Sequence, residues 1–278
     1  MNYRHYFHAG NFGDVFKHWL LLALLEALTR KDKPLAYLET HAGEGLYPLA
    51  REGEAQEWRL GIGRLWGAEE PAFAAYLEAV RRLGGEAADG PLRYPGSPLL
   101  AADRLRPGDR LLLCELHPEV YSALRRCFAP DRRVSVHQRD GYEALGALLP
   151  PPERRALILI DPPYEAKTAE FERIAQGLER AFRRFPQGVY AVWYPIKTLP
   201  PLAPFSRWLA AHAPGPVLDL RLFVREPDSP LRLNGAGMAI LRPPFALAEE
   251  LAKGLRQLAR ALGQGAGAAW EMRWLREP

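Results

Sequence analysis

One short stretch of this 278-residue chain constrains its fold more than any other. It is an apolar run, Leu-Ile-Leu-Ile at 157–160, that ends abruptly at Asp161-Pro162-Pro163-Tyr164. A short continuous run of this kind is typical of a parallel strand that is buried on both faces. In open α/β sheets, ligands bind just beyond the carboxyl ends of such strands. We therefore expect Asp161 to lie at the functional edge of a parallel sheet.

Strand-like and helix-like segments alternate along most of the chain, which indicates an α/β fold with helices on both faces of a mainly parallel sheet. The predicted strands cover 35–40, 111–115, 133–137, 156–161, 189–193, 217–224, 237–241 and about 268–274. The predicted helices cover 12–30, about 54–66, 71–84, 118–128, about 141–148, about 168–184 and about 245–262. The strands at 217–224 and 237–241 are expected to close the sheet.

Residues 50–95 break this alternation. A doubly wound fold needs one crossover helix between its first two strands, whereas this stretch contains two helical patterns. We predict a small helical subdomain inserted at 50–95, with the main domain formed by 1–49 and 96–278. The inserted stretch has six basic and eight acidic residues, so it is not an obvious basic clamp for nucleic acid.

Composition narrows the class of protein only slightly. The net charge of +4 and the pI near 9.1 lean weakly towards a polyanionic partner. The excess of arginine over lysine is better explained by a compositional bias of the genome. The apolar stretch at 19–25 is too short to span a bilayer, and no signal peptide is evident. Cys114 and Cys127 lack metal-ligand spacing, so we expect reduced thiols in a cytoplasmic protein that binds no metal.

Acidic residues follow three further strands of the predicted sheet. Glu39 ends the first strand and is followed by a glycine-rich stretch at 41–45. Glu115 ends the second strand, where a carboxylate commonly accepts both hydroxyls of a nucleoside ribose. Asp140 follows the third strand, where it can meet an adenine amino group. Each acid alone reads equally well as a helix cap, but together with Asp161 they predict a nucleoside-binding edge.

The residues after the fourth strand suit a planar amine. The two N–H groups of an exocyclic amine can be accepted by Asp161 and by the carbonyl of Pro162, since the prolines remove two backbone donors. Tyr164 can stack on the ring that carries the amine. This tetrapeptide is the signature of S-adenosylmethionine-dependent amino methyltransferases, which the chain resembles.

Several strings carry a more specific resemblance, and those at the N-terminus and at Tyr94–Pro98 are not general methyltransferase motifs. The strings are Tyr3–Asn11, Asp14–His18, Tyr37–Gly45, Tyr94–Pro98, Glu115–Pro118, Arg139–Gly141, Leu159–Glu165 and Trp193–Pro195. Together they resemble the bacterial ribosomal RNA large-subunit methyltransferase J family, which methylates N6 of adenine 2030 in 23S rRNA. The resemblance runs from Tyr3 to the closing strands. It implies a Rossmann-like class I S-adenosylmethionine-dependent methyltransferase with an inserted small helical subdomain.

The resemblance also implies roles for individual residues. Asp161 is the catalytic acceptor, assisted by Pro162 and Tyr164, and residues 1–18 form an N-terminal cofactor motif and tail. Tyr3 and His5 on this tail, with Tyr164, are expected near the target base. The implied contacts of S-adenosylmethionine are Lys17, His18, His41, Ser97, Glu115, Asp140, Gly141 and Asp161. From the residues alone, core or loop positions are favoured for both histidines, and Ser97 could be only a helix N-cap.

The implied partner is 23S ribosomal RNA, and we expect a monomer without membrane contact. Three alternatives stay open: an adenine-N6 DNA methyltransferase, a methyltransferase for another planar amine, and a cofactor-gated RNA-binding module. No separate DNA-recognition domain is evident, which disfavours DNA. The intact pair of Asp161 and Tyr164 disfavours a module that only binds RNA.

Overall fold

A central sheet runs through the protein, and apolar cores cover both of its faces. A computed structural model describes residues 7–49, 56–165, 168–228 and 233–278. The strands in these ranges are β1 (Ala36–Glu39), β2 (Leu46–Pro48), β3 (Glu86–Ala87), β4 (Gly90–Pro91), β5 (Arg93–Pro95), β6 (Arg110–Cys114), β7 (Val134–His137), β8 (Ala156–Ile160), β9 (Val189–Ile196), β10 (Val217–Phe223), β11 (Gly235–Leu241) and β12 (Ala269–Arg276). The α-helices are α1 (Phe12–Thr29), α2 (Ile62–Leu65), α3 (Pro71–Gly84), α4 (Ser97–Arg104), α5 (Pro118–Cys127), α6 (Gly141–Ala147), α7 (Thr168–Arg184), α8 (Ala203–His212) and α9 (Leu247–Leu262).

The main sheet has the strand order β12-β10-β11-β9-β8-β1-β6-β7. The half from β7 to β9 is parallel, whereas β11, β10 and β12 continue it in antiparallel pairs. The chain runs outward from β1 to β6 and β7, and then returns to β8 on the other side. The order therefore reverses at β1, and this switch point is where open α/β sheets bind their ligands.

Alternate residues of the central strands enter opposite cores. In β8, Leu157 and Leu159 pack into the core that contains α1, and Ile158 and Ile160 pack into the other. Because both faces are covered, the strand is apolar throughout instead of alternating. Each fully buried leucine or isoleucine contributes roughly 1.5–3 kcal/mol to the stability of the fold. The strand therefore fixes the backbone position at which Asp161 begins the next loop.

Helix α1 is buried along most of its length and carries charged residues into the interior. Asn11 caps its first turn by accepting hydrogen bonds from the N–H groups of Gly13 and Asp14. Asp14, Lys17 and His18 are all buried within the first two turns. Charged groups are buried at a large cost unless they are paired, so this helix requires partners from elsewhere in the fold.

The segment that follows β2 packs on α1. The rings of Trp19 and Phe73 meet edge to face with centroids 6.4 Å apart, and both belong to one apolar core. The predicted helix over 54–66 is wrong within the described residues, because a 3₁₀ turn at Glu57–Leu60 and the single turn of α2 replace it. The break falls at Gly61, where a Cβ would lie 2.1 Å from the carbonyl oxygen of Gly10.

Two sequence expectations concern membrane-spanning helices and the state of the cysteines. None of the described helices combines the length and apolar character that crossing a bilayer requires. Cys114 is buried and Cys127 is partly buried, and both are free thiols.

Candidate functional site

The carboxyl ends of β1, β6, β7 and β8 meet at one edge of the sheet. The N–H of Ala42 donates to the carbonyl of Cys114 at 2.9 Å, and the N–H of Thr40 donates to that of Leu159 at 3.1 Å. Gly141 approaches the first loop so closely that a Cβ would lie 2.1 Å from the carbonyl oxygen of Thr40. The loops that carry most of the predicted site residues are therefore in direct contact.

Asp161 is paired with a lysine that lies 144 residues earlier in the chain. The ammonium group of Lys17 is 2.6 Å from Oδ2 of Asp161 and 2.9 Å from Oδ1 of Asp14. Among the described residues, no group donates a hydrogen bond to Oδ1 of Asp161. The carboxylate is thus held through one oxygen and can accept from a ligand through the other.

The charge of Lys17 is strongly favoured in this setting. Burial opposes the charge, but the carboxyl groups of Asp14 and Asp161 outweigh it and hold the pKa of Lys17 well above its usual value. One ammonium group consequently serves the buried carboxyl group of Asp14 and the partly buried one of Asp161. Charge-assisted hydrogen bonds of this kind are about twice as strong as neutral ones, which fixes the geometry of the site.

Tyr164 is held beside Asp161 in an uncommon backbone conformation. Its φ is 54°, in the left-handed region that few residues other than glycine adopt. Its hydroxyl donates to the carbonyl of Trp193 on β9, and the two rings meet edge to face with centroids 6.0 Å apart. Nζ of Lys17 lies 5.6 Å from the centroid of the Trp193 ring. The turn after β8 is therefore fixed against an aromatic wall.

Ser97 and Glu39 form a second polar cluster next to the first. Ser97 is the first residue of α4 and donates through Oγ to Glu39, whereas Gly96 occupies the N-cap position. The hydroxyl of Tyr37 donates to the other oxygen of Glu39 at 2.9 Å. Burial raises the pKa of Glu39 to about 8, although both hydrogen bonds and the charge of Lys17 lower it. Glu39 is therefore largely protonated at neutral pH.

Glu115 holds the glycine-rich loop that follows β1. Its two oxygens accept from the N–H of Gly43 at 3.1 Å and from the N–H of His117 at 2.8 Å. Gly43 has a φ of 65°, and a Cβ there would lie 2.1 Å from the hydroxyl of Tyr47. Each carboxylate oxygen keeps a second lone pair, so Glu115 can still accept from a ligand diol.

Asp140 and His41 both contact Tyr142. Asp140 caps α6 by accepting from the N–H of Tyr142 at 2.7 Å, and it also accepts from Arg173 at 3.2 Å. Asp140 is therefore a helix cap, as its position in the sequence also allowed. The His41 ring meets that of Tyr142 edge to face with centroids 5.1 Å apart, and burial lowers the pKa of His41 to about 4. His41 is thus neutral at physiological pH.

His18 is buried on α1 next to Lys17. Its Nδ1 lies 2.8 Å from the hydroxyl of Tyr94. Two other predicted site residues, Tyr3 and His5, lie outside the described residues.

Comparison with known proteins identifies the family. The family model described as "Ribosomal RNA large subunit methyltransferase D, RlmJ" matches residues 32–276. Over 283 aligned residues the chain is 39% identical to the ribosomal RNA large subunit methyltransferase J of Haemophilus influenzae, covering 99% of each protein. It is 42% identical over 257 residues to the Escherichia coli protein of the same name, covering 90% of each. The chain belongs to this family.

A solved structure is closely similar to this chain over nearly its whole length. A crystal structure of a Legionella pneumophila protein superposes with a TM-score of 0.86 at 36% identity, covering 96% of this chain and 97% of that one. Family membership and this superposition confirm the Rossmann-like class I methyltransferase fold. The roles of individual residues remain predictions.

Asp14 and Trp193 belong to the site, although no role was predicted for either from the sequence. A signal for Asp14 was present, because it lies three residues before Lys17 in an otherwise apolar helix, where charges need partners. Trp193 was noticed only within its string, although it lies towards the carboxyl end of β9 and therefore near the same edge as Asp161.

Proposed function

We propose that this RlmJ-family protein transfers a methyl group from S-adenosylmethionine to N6 of a flipped-out adenine in 23S rRNA, adenine 2030 by family resemblance. The observation that carries the proposal is the carboxylate of Asp161, which Lys17 holds through Oδ2 while Oδ1 stays open beside Tyr164. The names of the Haemophilus influenzae and Escherichia coli relatives support an rRNA substrate. This substrate also implies that the enzyme works in the cytoplasm.

The polar groups at the sheet edge fit S-adenosylmethionine. The ribose hydroxyls of this cofactor need acceptors, and its adenine amine needs another. Glu115 and Asp140 offer carboxylate oxygens at the ends of neighbouring strands, and Gly43 lets the backbone come close. The remaining contacts proposed for the cofactor are Lys17, His18, His41, Ser97, Gly141 and Asp161. Since the ammonium of Lys17 lies on Asp161, its contribution is to hold that carboxylate in place.

The mechanism depends mainly on positioning. The bound cofactor supplies an electrophilic methyl group on a sulfonium. Adenine N6 is a poor nucleophile because its lone pair is delocalised into the ring. Oδ1 of Asp161 and the carbonyl oxygen of Pro162 accept the two N–H groups, which localises the lone pair on nitrogen. Productive transfer requires the reacting atoms to lie about 3–3.5 Å apart, so a rigid acceptor pair is the main requirement.

The target base and its proton are handled by the same residues. Unstacking the base costs a few kcal/mol, and stacking on Tyr164 offsets roughly 1–3 kcal/mol of that. When nitrogen gains the methyl group it must lose a proton, and Oδ1 of Asp161 is the acceptor in contact with it. Lys17 keeps Oδ2 occupied, so that the other oxygen faces the amine.

A substrate panel tests this proposal. Purified protein is incubated with methyl-labelled S-adenosylmethionine and four substrates: a 23S rRNA transcript, the same transcript with the target adenine replaced by guanine, duplex DNA of the same sequence, and a glutamine peptide. We expect label only in the first RNA, recovered as N6-methyladenosine. Faster transfer to DNA or to the peptide would contradict the proposal. Binding of the transcript without any transfer would favour the RNA-binding module.

A further inference from the structure

Three buried side chains form a hydrogen-bonded chain that ends at His18. The hydroxyl of Tyr76 is 2.9 Å from that of Tyr94, which is 2.8 Å from Nδ1 of His18. The Tyr94 ring also stacks on the imidazole, with centroids 5.4 Å apart and an interplanar angle of 23°. Tyr94 is 0% exposed, and the other two residues are 1% exposed. Water therefore cannot replace these bonds, and removing one hydroxyl leaves a buried group without that partner.

The chain connects α1 to the segment that we proposed as an insertion, 50–95. One tyrosine lies on α3 and the other on β5, and both elements belong to this segment. Helix α1 carries His18 and its neighbour Lys17. The next residue, Trp19, donates through Nε1 to the carbonyl of Ala72 at 2.7 Å. The segment therefore contacts α1 at His18 and Trp19, directly beside Lys17 of the site.

The hydroxyl chain also links the position of the ring proton to the orientation of the two hydroxyls. A neutral imidazole has one N–H donor and one acceptor nitrogen. Burial raises the pKa of Tyr94 well above its usual value, so its hydroxyl keeps its single proton. Because Nδ1 of His18 is engaged by this hydroxyl, the direction of that bond decides whether Nδ1 donates or accepts, and Nε2 must take the opposite role.

We propose that Tyr94, held in turn by Tyr76, is a positioning residue that fixes the ring orientation and the tautomer of His18 for contact with S-adenosylmethionine. The described part of this segment, 56–95, thereby completes the cofactor site instead of only enlarging the core. This inference rests on the proposed contact between His18 and the cofactor.

A double-mutant cycle tests it. Calorimetry measures the dissociation constant of S-adenosylmethionine for His18→Ala, Tyr94→Phe, their combination and Tyr76→Phe. We expect Tyr94→Phe to weaken binding by about tenfold and Tyr76→Phe by about threefold, since a lost hydroxyl leaves a buried partner unpaired. Adding Tyr94→Phe to His18→Ala should change the constant by less than about twofold, because the tyrosine acts only through the histidine.

The matched control is Tyr190→Phe. That hydroxyl donates to the carbonyl of Phe185 at 2.7 Å in the other core, so its loss should lower stability without changing cofactor affinity. If His18→Ala weakens binding while Tyr94→Phe does not, or if their losses add, the positioning role is overturned and the proposed cofactor site stands. If His18→Ala binds S-adenosylmethionine as tightly as the native protein does, the proposed contact between His18 and the cofactor is overturned. The positioning role of Tyr94 and the assignment of His18 to the cofactor site then both fail.

A second measurement begins with the native protein and so gives a result even where a variant fails to fold. Nitrogen-15 NMR of the native protein, with histidine labelled, reports the tautomer of each ring. We expect His18 to show one neutral tautomer, and Tyr76→Phe to introduce a second. A mixture of tautomers in the native protein would overturn the proposal.

Discussion

Two clusters of oppositely charged side chains lie in different halves of the sheet. At the parallel edge, Lys17 lies between Asp14 and Asp161. In the antiparallel half, Asp219 on β10 is paired with Arg221 and with Arg273 on β12. Among the described residues, the first cluster has one cation for two carboxyl groups. In the second, Asp219 has two cationic partners, and one of them, Arg221, also lies 3.7 Å from the exposed carboxylate of Glu271.

The two clusters differ in how completely their carboxylates are bonded. Asp219 accepts from the hydroxyl of Tyr194 through Oδ1 and from Arg273 through Oδ2 at 3.0 Å. Its Oδ2 also forms an ion pair with Arg221 at 3.1 Å, and the Nε–H of Arg221 donates to the Tyr194 hydroxyl. The side chain of Asp219 is 1% exposed, whereas that of Asp161 is 14% exposed and has an open Oδ1. A fully bonded buried charge specifies structure, while an incompletely bonded one at a strand end is available for a ligand.

The largest effect should come from Asp161→Asn. The change preserves shape but removes the group that accepts a proton from the amine, so methyl transfer at saturating cofactor should fall by about 10²–10⁴-fold. Lys17 retains Asp14, and thermal unfolding should therefore change little. Single-turnover transfer to the RNA transcript measures the rate. Transfer at the native rate would remove Asp161 from the chemistry.

Asp219→Ala should have the opposite pattern, with a large loss of stability and no change in methyl transfer. Without this carboxylate, Arg221 and Tyr194 lose their buried partner, and breaking such a pair costs about 3–5 kcal/mol of unfolding free energy. Methyl transfer per folded molecule should stay at the native rate. Urea unfolding and single-turnover transfer on the same sample check both statements. If the folded variant no longer transfers methyl groups, the Asp219 cluster is needed for catalysis and is not purely structural.

Glu39 is a further buried carboxyl group, and it forms no ion pair among the described residues. Its pKa of about 8 in the folded protein, against 4.5 as the ordinary value, means that the folded state binds a proton that the unfolded state releases. Stability of the native protein should therefore fall as pH rises from about 5 to 8. Glu39→Gln removes this loss, so the variant should gain on the order of 2–4 kcal/mol relative to the native protein over that range.

Urea unfolding without cofactor at several pH values measures this difference. The control is Glu250→Gln, at an exposed carboxylate whose pKa a hydrogen bond from Arg30 lowers. Its difference from the native protein should stay constant between pH 5 and 8, since a lowered pKa has no effect in that range. A constant difference for Glu39→Gln as well would contradict the raised pKa.

The smallest effects come from two tyrosine hydroxyls. Tyr164→Phe frees the ring from the carbonyl of Trp193 but keeps its stacking face, and we expect methyl transfer to fall by about fivefold. Tyr194→Phe removes one donor from Asp219 and should lower stability by about 1–2 kcal/mol without altering transfer. Rates and urea unfolding for both variants decide the matter. Equal losses of rate would show that the two hydroxyls act through one network.

Much of the fold was predictable because the strands are long enough to show their pattern. Every strand of the main sheet was predicted, and the buried run of β8 gave the position of Asp161. The short strand pairs β2–β5 and β3–β4 were missed, since two or three residues carry no periodicity. Helix α8 was missed because the prolines at 200, 201 and 204 resemble a loop, although proline fits a first helical turn.

The site was predictable only in part. Motif spacing indicated which residues follow each strand, but the contact between Lys17 and Asp161 joins residues 144 positions apart and depends on how α1 packs. The chain from Tyr76 to His18 likewise requires the docking of α3 on α1. Contacts of this kind are set by tertiary packing, which local sequence patterns do not encode.

Mass-spectrometric mapping of N6-methyladenine in 23S rRNA, from cells with and without this protein, tests the central proposal most directly. We expect the mark at the adenine equivalent to 2030 to be lost without the protein and restored by the native chain, but not by Asp161→Asn. Persistence of the mark in cells that lack the protein, or its full restoration by Asp161→Asn, would contradict the account.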